Sequence, residues 1–218
     1  MKLNFLQNNK ILLIYFIGLI LLPLAFINLF NMLNIDQSLL NVFVNTSTYV
    51  FIFISIIFII NKSLLIEGKI FLSSKKNILN SLFTALALLV SYFIIAYLFS
   101  VIGVKGTSNN QSSLDEIFKI APTAFIITTV ILAPFVEEIV YRKVLFSVFK
   151  ARLNKIFGIL ISSFFFGFIH VTSGDFVYLP MYFSLGIILA YSYSKTNNIF
   201  VAILGHSIYN LVTILLMY

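Results

Sequence analysis

The sequence predicts an all-α protein, a polytopic transmembrane bundle of about seven helices, and three observations predict it. Of 218 residues, 61% are hydrophobic and 10% charged, with a mean hydropathy of +1.07, far more apolar than a soluble domain. The apolar residues come in uninterrupted runs, and a helix needs roughly 20 such residues to cross the hydrocarbon core. The basic residues sit in short segments between those runs, mostly on alternate segments, as a fixed membrane topology requires.

The first span covers residues 11–30, after Lys2 and Lys10. It exceeds a signal-peptide core and no small-x-small cleavage site follows it, so it reads as a helix retained in the chain. Residues 42–60 form a second span, with the polar patch Asn45-Thr-Ser-Thr48 at its start, and residues 78–101 a third. Residues 103–116, rich in Gly, Ser, Asn and Gln, read as a loop. Asp115 and Glu116 suit the first turn of a helix that runs over 117–136, past Pro122 and Pro134. Residues 141–152 mix Leu, Phe and Val with Arg142, Lys143, Lys150 and Arg152, the pattern of a helix leaving the membrane along its interface. Spans over 156–171, 176–193 and 199–218 complete the seven. With no internal repeat and no low-complexity tail, residues 1–218 read as a single integral membrane domain.

The formal charge of +7 does not indicate nucleic acid, because the basic residues lie in loops between spans. Counting segments from the N-terminus, every Lys and Arg except Lys105 and Lys119 falls on the N-terminal side. That bias places the N-terminus in the cytoplasm and the C-terminus outside. The chain has no cysteine, which rules out disulfides, a thiol nucleophile and thiolate metal sites. Its richness in Ile, Asn, Lys and Phe points to an AT-rich bacterial source, and so to a bacterial plasma membrane.

Phe135-Val-Glu-Glu-Ile-Val-Tyr-Arg142 sets two carboxylates and an arginine against a membrane-embedded run. Intramembrane charge is costly and reads first as function. On a helix, Glu138 and Arg142 stand four apart with the acid first, the favourable order for an ion pair. Glu137 points about 100° away from Glu138 and is the carboxylate left for chemistry. The plainer alternative is a polar lock between helices that uses both acids.

The only two histidines, His170 and His206, both lie in apolar spans. A lone histidine there is usually a hydrogen-bonded core residue, but here the whole histidine complement joins the intramembrane acids, which points to a site. If the helices carrying Glu137 and His170 form a hairpin turning near Leu153 and Asn154, each residue lies roughly 24 Å from the turn and they face each other. Hydropathy alone fits this badly, since it ends the Glu137 span near Glu137 and puts His170 at the far end of its own. Either the hairpin protrudes from the membrane or the helix carrying Glu137 is longer and deeper. His206 and Asn210, four apart, share a helix face, where the amide can assist the imidazole or donate to an oxyanion.

Glu137-Glu138-x-x-x-Arg142, Phe166-x-x-x-His170 and His206-x-x-x-Asn210, in that order on successive apolar helices, resemble the three motifs of the CAAX protease and bacteriocin-processing family of intramembrane endopeptidases. The resemblance covers residues 121–211, which would form a catalytic core, and the first three spans carry no signature. Many family members have eight crossings where the hydropathy here gives seven. The resemblance implies hydrolysis of a peptide bond near the membrane surface. Eukaryotic members remove a C-terminal tripeptide from prenylated proteins, whereas bacterial members act in peptide maturation or bacteriocin self-immunity. It also implies that Glu137 and His170 activate water, that His206 and Asn210 stabilise the tetrahedral intermediate, and that Glu138, Arg142 and Phe166 support the architecture. Two histidines and a glutamate (His170, His206, Glu137) would make a three-ligand zinc site with an open position. The competing mechanism is metal-free, because a glutamate serving as ligand cannot also be the base.

Other intramembrane protease chemistries fit less well. Ser207 lacks the Gly-x-Ser-x context of a rhomboid-type enzyme, and Asp36, Asp115 and Asp175 fall in loops or at span ends, where an aspartyl protease needs two intramembrane aspartates. Two readings from other classes stand beside the protease: a non-catalytic membrane protein that binds a peptide and confers immunity, and a proton-coupled transporter using Glu137 and the histidines as a relay. The expected partners are the bilayer and a membrane-associated peptide or protein, with no nucleic acid.

Overall fold

The computed structural model describes residues 3–33 and 36–218. Eight helices make up the described chain: α1 (Phe5–Leu33), α2 (Gln37–Leu72), α3 (Lys75–Val101), α4 (Asn109–Ile120), α5 (Pro122–Arg152), α6 (Lys155–Ile169), α7 (Phe176–Thr196) and α8 (Ile199–Met217). No strand occurs among the described residues. All except α4 and α6 are long and apolar enough to cross a membrane, and α6 is a shorter apolar helix. The protein is therefore an all-α polytopic bundle whose six long spans and α6 take up the seven apolar runs. Lys2 lies outside the described residues.

Local chemistry sets the helix starts. Asn4 and Gln7 form a reciprocal capping box at the start of α1. Ser108 caps α4 by accepting from the Gln111 N–H, Asn154 caps α6 through the Ile156 and Phe157 N–H groups, and Asn198 caps α8 through that of Phe200. Asn197, at φ 50°, supplies the left-handed residue that turns the chain from α7 into α8.

Three boundaries differ from the sequence reading. The polar stretch over 103–116 is a loop only as far as Ser108; α4 begins there and ends at Ile120, where Pro122 starts a new helix. A proline suits the first turn of a helix and disfavours helical geometry in the residue before it. The segment over 141–152 is no interfacial helix, because it continues α5 without a break. Arg142 is 0% exposed and Lys143 2%, so neither is a loop charge. Finally, α2 runs on past residue 60 to Leu72, through Lys62, Glu67 and Lys69. It kinks at Ile60 (φ −127°, ψ 19°), where Gln7 Nε2 donates to the Ile59 carbonyl and Asn61 Oδ1 accepts from the Lys62 N–H. Side chains inserted into the helical ladder account for such a bend.

α5 is the most enclosed of the six long spans. Its Val136, Ile139, Val140 and Val144 pack with Ile52 and Ile56 of α2, Leu88 of α3, Phe166 of α6, Leu189 of α7 and Ala202 of α8. Two close approaches fix its neighbours. A methyl group on Gly205 would lie 2.8 Å from Thr84 Cβ of α3, and one on Gly167 would lie 2.9 Å from the Phe183 backbone nitrogen of α7. Only a hydrogen fits at either place, so helices pack backbone to backbone beside His206 and His170.

The lengths resolve the depth conflict. α5 has 31 residues, about 46 Å, and Glu137 lies midway along it, about 22 Å from the Arg152 end. α6 has 15 residues, about 22 Å, too short to cross the core. It rises from the hairpin turn at Leu153 and Asn154 and stops at mid-depth, so His170, its C-cap, reaches the level of Glu137. The helix carrying Glu137 is longer and deeper than hydropathy drew it.

Candidate functional site

Pro134 prepares the helix that carries the acids. Residues Thr128–Leu132 form a π-turn in which the Ala133 N–H bonds to the Thr128 carbonyl, one residue further back than in an α-helix. The next residue is Pro134, which has no N–H, so the Thr129 carbonyl lacks a donor from the ladder. Asn210 of α8 supplies one: its Nδ2 donates to the Thr129 oxygen at 2.8 Å. A primary amide carries two hydrogens, so this bond uses one and orients the group. After the α-helical Ala133–Glu137, a second π-segment, Glu138–Phe146, carries Glu138, Arg142 and Lys143.

The adjacent carboxylates have different partners. Glu138, 0% exposed, faces an arginine and a histidine: Arg142 Nε lies 3.0 Å from Oε2, and His206 Nδ1 lies 3.0 Å from Oε1. Phe166 explains how the arginine is housed. Its ring centroid lies 4.6 Å from the guanidinium carbon, so the π-electrons add a second attraction for the charge. Glu137, 5% exposed, accepts a hydrogen bond from the Tyr49 hydroxyl of α2 at 3.0 Å and lies 4.0 Å from His206 Nε2. The sequence expectation of a Glu138–Arg142 pair thus holds in the geometry, with His206 added to it.

Both imidazoles present the same edge. His170 Nδ1 lies 2.7 Å from the Phe166 carbonyl, and His206 Nδ1 faces the Glu138 carboxylate. Carbonyls and ionised carboxylates only accept, so both rings carry a proton on Nδ1 and offer Nε2 for chemistry. Tyr182 of α7 stacks on His170, with ring centroids 4.7 Å apart at 23°. Its hydroxyl is held by Ser108 at 2.6 Å and by Asn110 Nδ2 at 3.4 Å.

Glu137, His170, His206 and Asn210 line one cavity of about 160 Å³, together with Asn45, Tyr49 and Phe166. It extends away from the α5–α6 turn toward Asn110, Gln111 and Leu114 of α4 and Tyr218 after α8. Tyr218 donates to Asp115 of α4 and stacks on Phe118, centroids 3.9 Å apart, which ties α4 over that end. Burial, and then the Asp115 carboxylate, push the Tyr218 phenol upward from its ordinary range, so it remains a neutral donor at neutral pH.

Sequence reasoning missed Tyr49 and Tyr182. A tyrosine inside an apolar span carries no signal alone, but Tyr49 stands one helical turn after Asn45 of the polar patch, and both line the cavity. For a metal, His206 Nε2 and Glu137 Oε2, 4.0 Å apart, lie within reach of a shared ion. No third ligand joins them: among the described residues no three His, Asp or Glu side chains gather as a metal site requires.

The sequence pattern of the type II CAAX prenyl endopeptidase Rce1-like family matches residues 119–212. A protein of Mycoplasma capricolum is 37% identical over 142 residues, 59% of this chain and 41% of its own. The putative membrane peptidase YdiL of Bacillus subtilis is 31% identical over 110 residues, 50% of this chain and 43% of its own. The membrane-embedded CAAX protease MroQ of Staphylococcus aureus is 32% identical over 132 residues, 58% of this chain and 52% of its own. The chain thus spans about half the length of the curated relatives it matches. No solved structure matches it. The stretch that the family pattern matches contains all three motifs, from Glu137 to Asn210.

Proposed function

We propose that the chain is an intramembrane endopeptidase that hydrolyses a peptide bond of a membrane-associated peptide or protein. The observation that carries this reading is the convergence of Glu137, His170, His206 and Asn210, from three helices, on one cavity inside a membrane bundle. Glu137 is the general base. It takes a proton from a water molecule as the water oxygen bonds to the scissile carbonyl carbon, then passes that proton to the leaving nitrogen as the C–N bond breaks. Tyr49 fixes the Glu137 rotamer through its hydrogen bond to Oε1. His170, protonated on Nδ1, accepts from the water through Nε2 and so aligns it. His206 and the second amide hydrogen of Asn210 donate to the oxyanion. For His206 this requires the doubly protonated ring, with Glu138 as its counter-charge.

Every step runs through the chain's own residues, and activity that survives a strong zinc chelator is expected. Peptide maturation or self-immunity to a bacteriocin is the physiological setting that suits a membrane-associated peptide substrate. The test compares membranes from cells expressing the wild type and Glu137→Gln at matched protein levels, with new peptide termini mapped by mass spectrometry. Termini found only with the wild type are expected, whereas undiminished cleavage by Glu137→Gln removes the general-base role. If no termini differ while a protective phenotype persists in both, the protein binds its peptide without cutting it.

A further inference from the structure

A second cavity of about 170 Å³ adjoins the first, and the two share Tyr182, Leu185 and Tyr209 as part of a common wall. On its own side it is bounded by Tyr92 and Phe99 of α3 and Met181 of α7. We propose that this cavity is a side-chain pocket for the peptide substrate, receiving one bulky apolar side chain, aromatic or branched aliphatic, next to the bond that is cut. The proposal rests on the endopeptidase reading above.

Size, chemistry and position agree on that occupant. A cavity of about 150 Å³ holds a benzene molecule, so this partly open pocket of about 170 Å³, more apolar than polar in its lining, accommodates one ring or one branched aliphatic group, not a peptide segment. Among the described residues no Asp, Glu, Lys, Arg or His lines it, and its polar groups, those of Ser100, Thr107, Ser108, Gln111 and Thr213, are uncharged. A charged side chain entering would lose its hydration without gaining a counter-charge, which is costly. The neighbouring cavity, by contrast, holds Glu137, His170 and His206.

Within the shared wall, Tyr182 is the residue that also packs on a histidine of the first cavity. One face of Tyr182 stacks on His170 at 4.7 Å between centroids, and Ser108 and Asn110 hold its hydroxyl in place. An extended peptide advances about 3.4 Å per residue, with side chains alternating in direction. A residue within one or two positions of the scissile bond therefore reaches past the ring into the second cavity. Ala96 lines this cavity and not the first, so its side chain is a handle on pocket size that leaves the catalytic groups untouched.

The experiment uses the purified full chain in detergent micelles, a proteome-derived peptide library as probe, and mass spectrometric mapping of every cleavage. The wild type is expected to favour Phe, Tyr, Leu or Ile at one position beside the cleaved bond and to reject charged residues there by tenfold or more. Ala96→Phe should shift that position alone to Gly, Ala and Ser, with other positions and the rate on small-residue peptides little changed. Phe99→Ala should widen the same position to admit Trp, and it decides the matter if Ala96→Phe does not fold. Cleavage with no preference at any position, or a preference that neither variant moves, overturns the pocket and leaves the endopeptidase standing. A wild type that cleaves nothing in the library or in membranes overturns both.

Discussion

Glu137 and Glu138 are neighbours in the chain, yet a single residue step of about 100° gives them opposite surroundings. Glu138 is wedged between Arg142 and His206, both at 3.0 Å, so both of its oxygens are engaged. Glu137 has a neutral phenol at 3.0 Å and an imidazole nitrogen at 4.0 Å, so a reacting group can approach it. Tyr49 is then a positioning residue, acting only through the carboxylate it holds. Tyr49→Phe removes one oxygen and keeps the ring packing. Its expected effect is a fall in kcat of about ten- to hundredfold, the scale of a small misplacement of a reacting group, with KM and the thermal midpoint nearly unchanged. A variant with wild-type kcat would leave Tyr49 with no role in the reaction. At this scale the sequence revealed the groups that are costly in a membrane, two acids and two histidines, because cost makes them conspicuous. It concealed Tyr49 because a tyrosine in an apolar helix is cheap, and its importance comes from the partner that folding brings 88 residues closer.

The helices are held in register by polar ties distant from the reaction. Lys143 of α5 pairs with Glu67 of α2, whose second carboxylate oxygen accepts the Ile199 N–H at the start of α8 at 3.2 Å. Asn198 Nδ2 adds a bond to the Glu67 carbonyl at 2.9 Å. Three helices meet at this knot, six residues along α5 from Glu137, or about 9 Å. Removing one partner strands a buried charge, so Glu67→Leu is expected to cost about 3–5 kcal/mol in thermal unfolding in micelles. Glu67→Leu with Lys143→Met removes both charges of this pair. It should be more stable than the single variant, while still carrying the cost of the orphaned Ile199 N–H, about 1–3 kcal/mol. A double variant as unstable as the single one would show that the pair is not what joins these helices. Sequence reasoning placed Lys143 on a helix leaving the membrane and did not single out Glu67, since hydropathy measures only mean polarity and cannot see a lysine and a glutamate neutralise each other inside a bundle. The α5–α6 hairpin was legible for the opposite reason: its register follows from counting residues to Leu153 and Asn154, and helical rise converts that count directly into depth.

For the whole molecule, the remaining question is which side of the membrane the cavity faces. Setting aside Arg142 and Lys143, which are buried inside the bundle, the loop charges still lie mainly on the side of the α5–α6 turn, with Lys105 and Lys119 at the other. By the retention of basic loops in the cytoplasm, the turn is expected inside, and α4 with the mouth of the Glu137 cavity outside. A substrate arriving from the external leaflet would meet α4 first, at the tie between Asp115 and Tyr218. The absence of cysteine makes this orientation directly measurable, because any introduced thiol is the only one. In intact cells a membrane-impermeant maleimide is expected to label Lys105→Cys, in the exposed loop before α4, and to label Lys76→Cys, at the exposed start of α3, only after permeabilisation. The reverse pattern would turn the cavity toward the cytoplasm. The substrate would then be a peptide made and cut inside the cell, and any self-protection would act on an internal target instead of an incoming one.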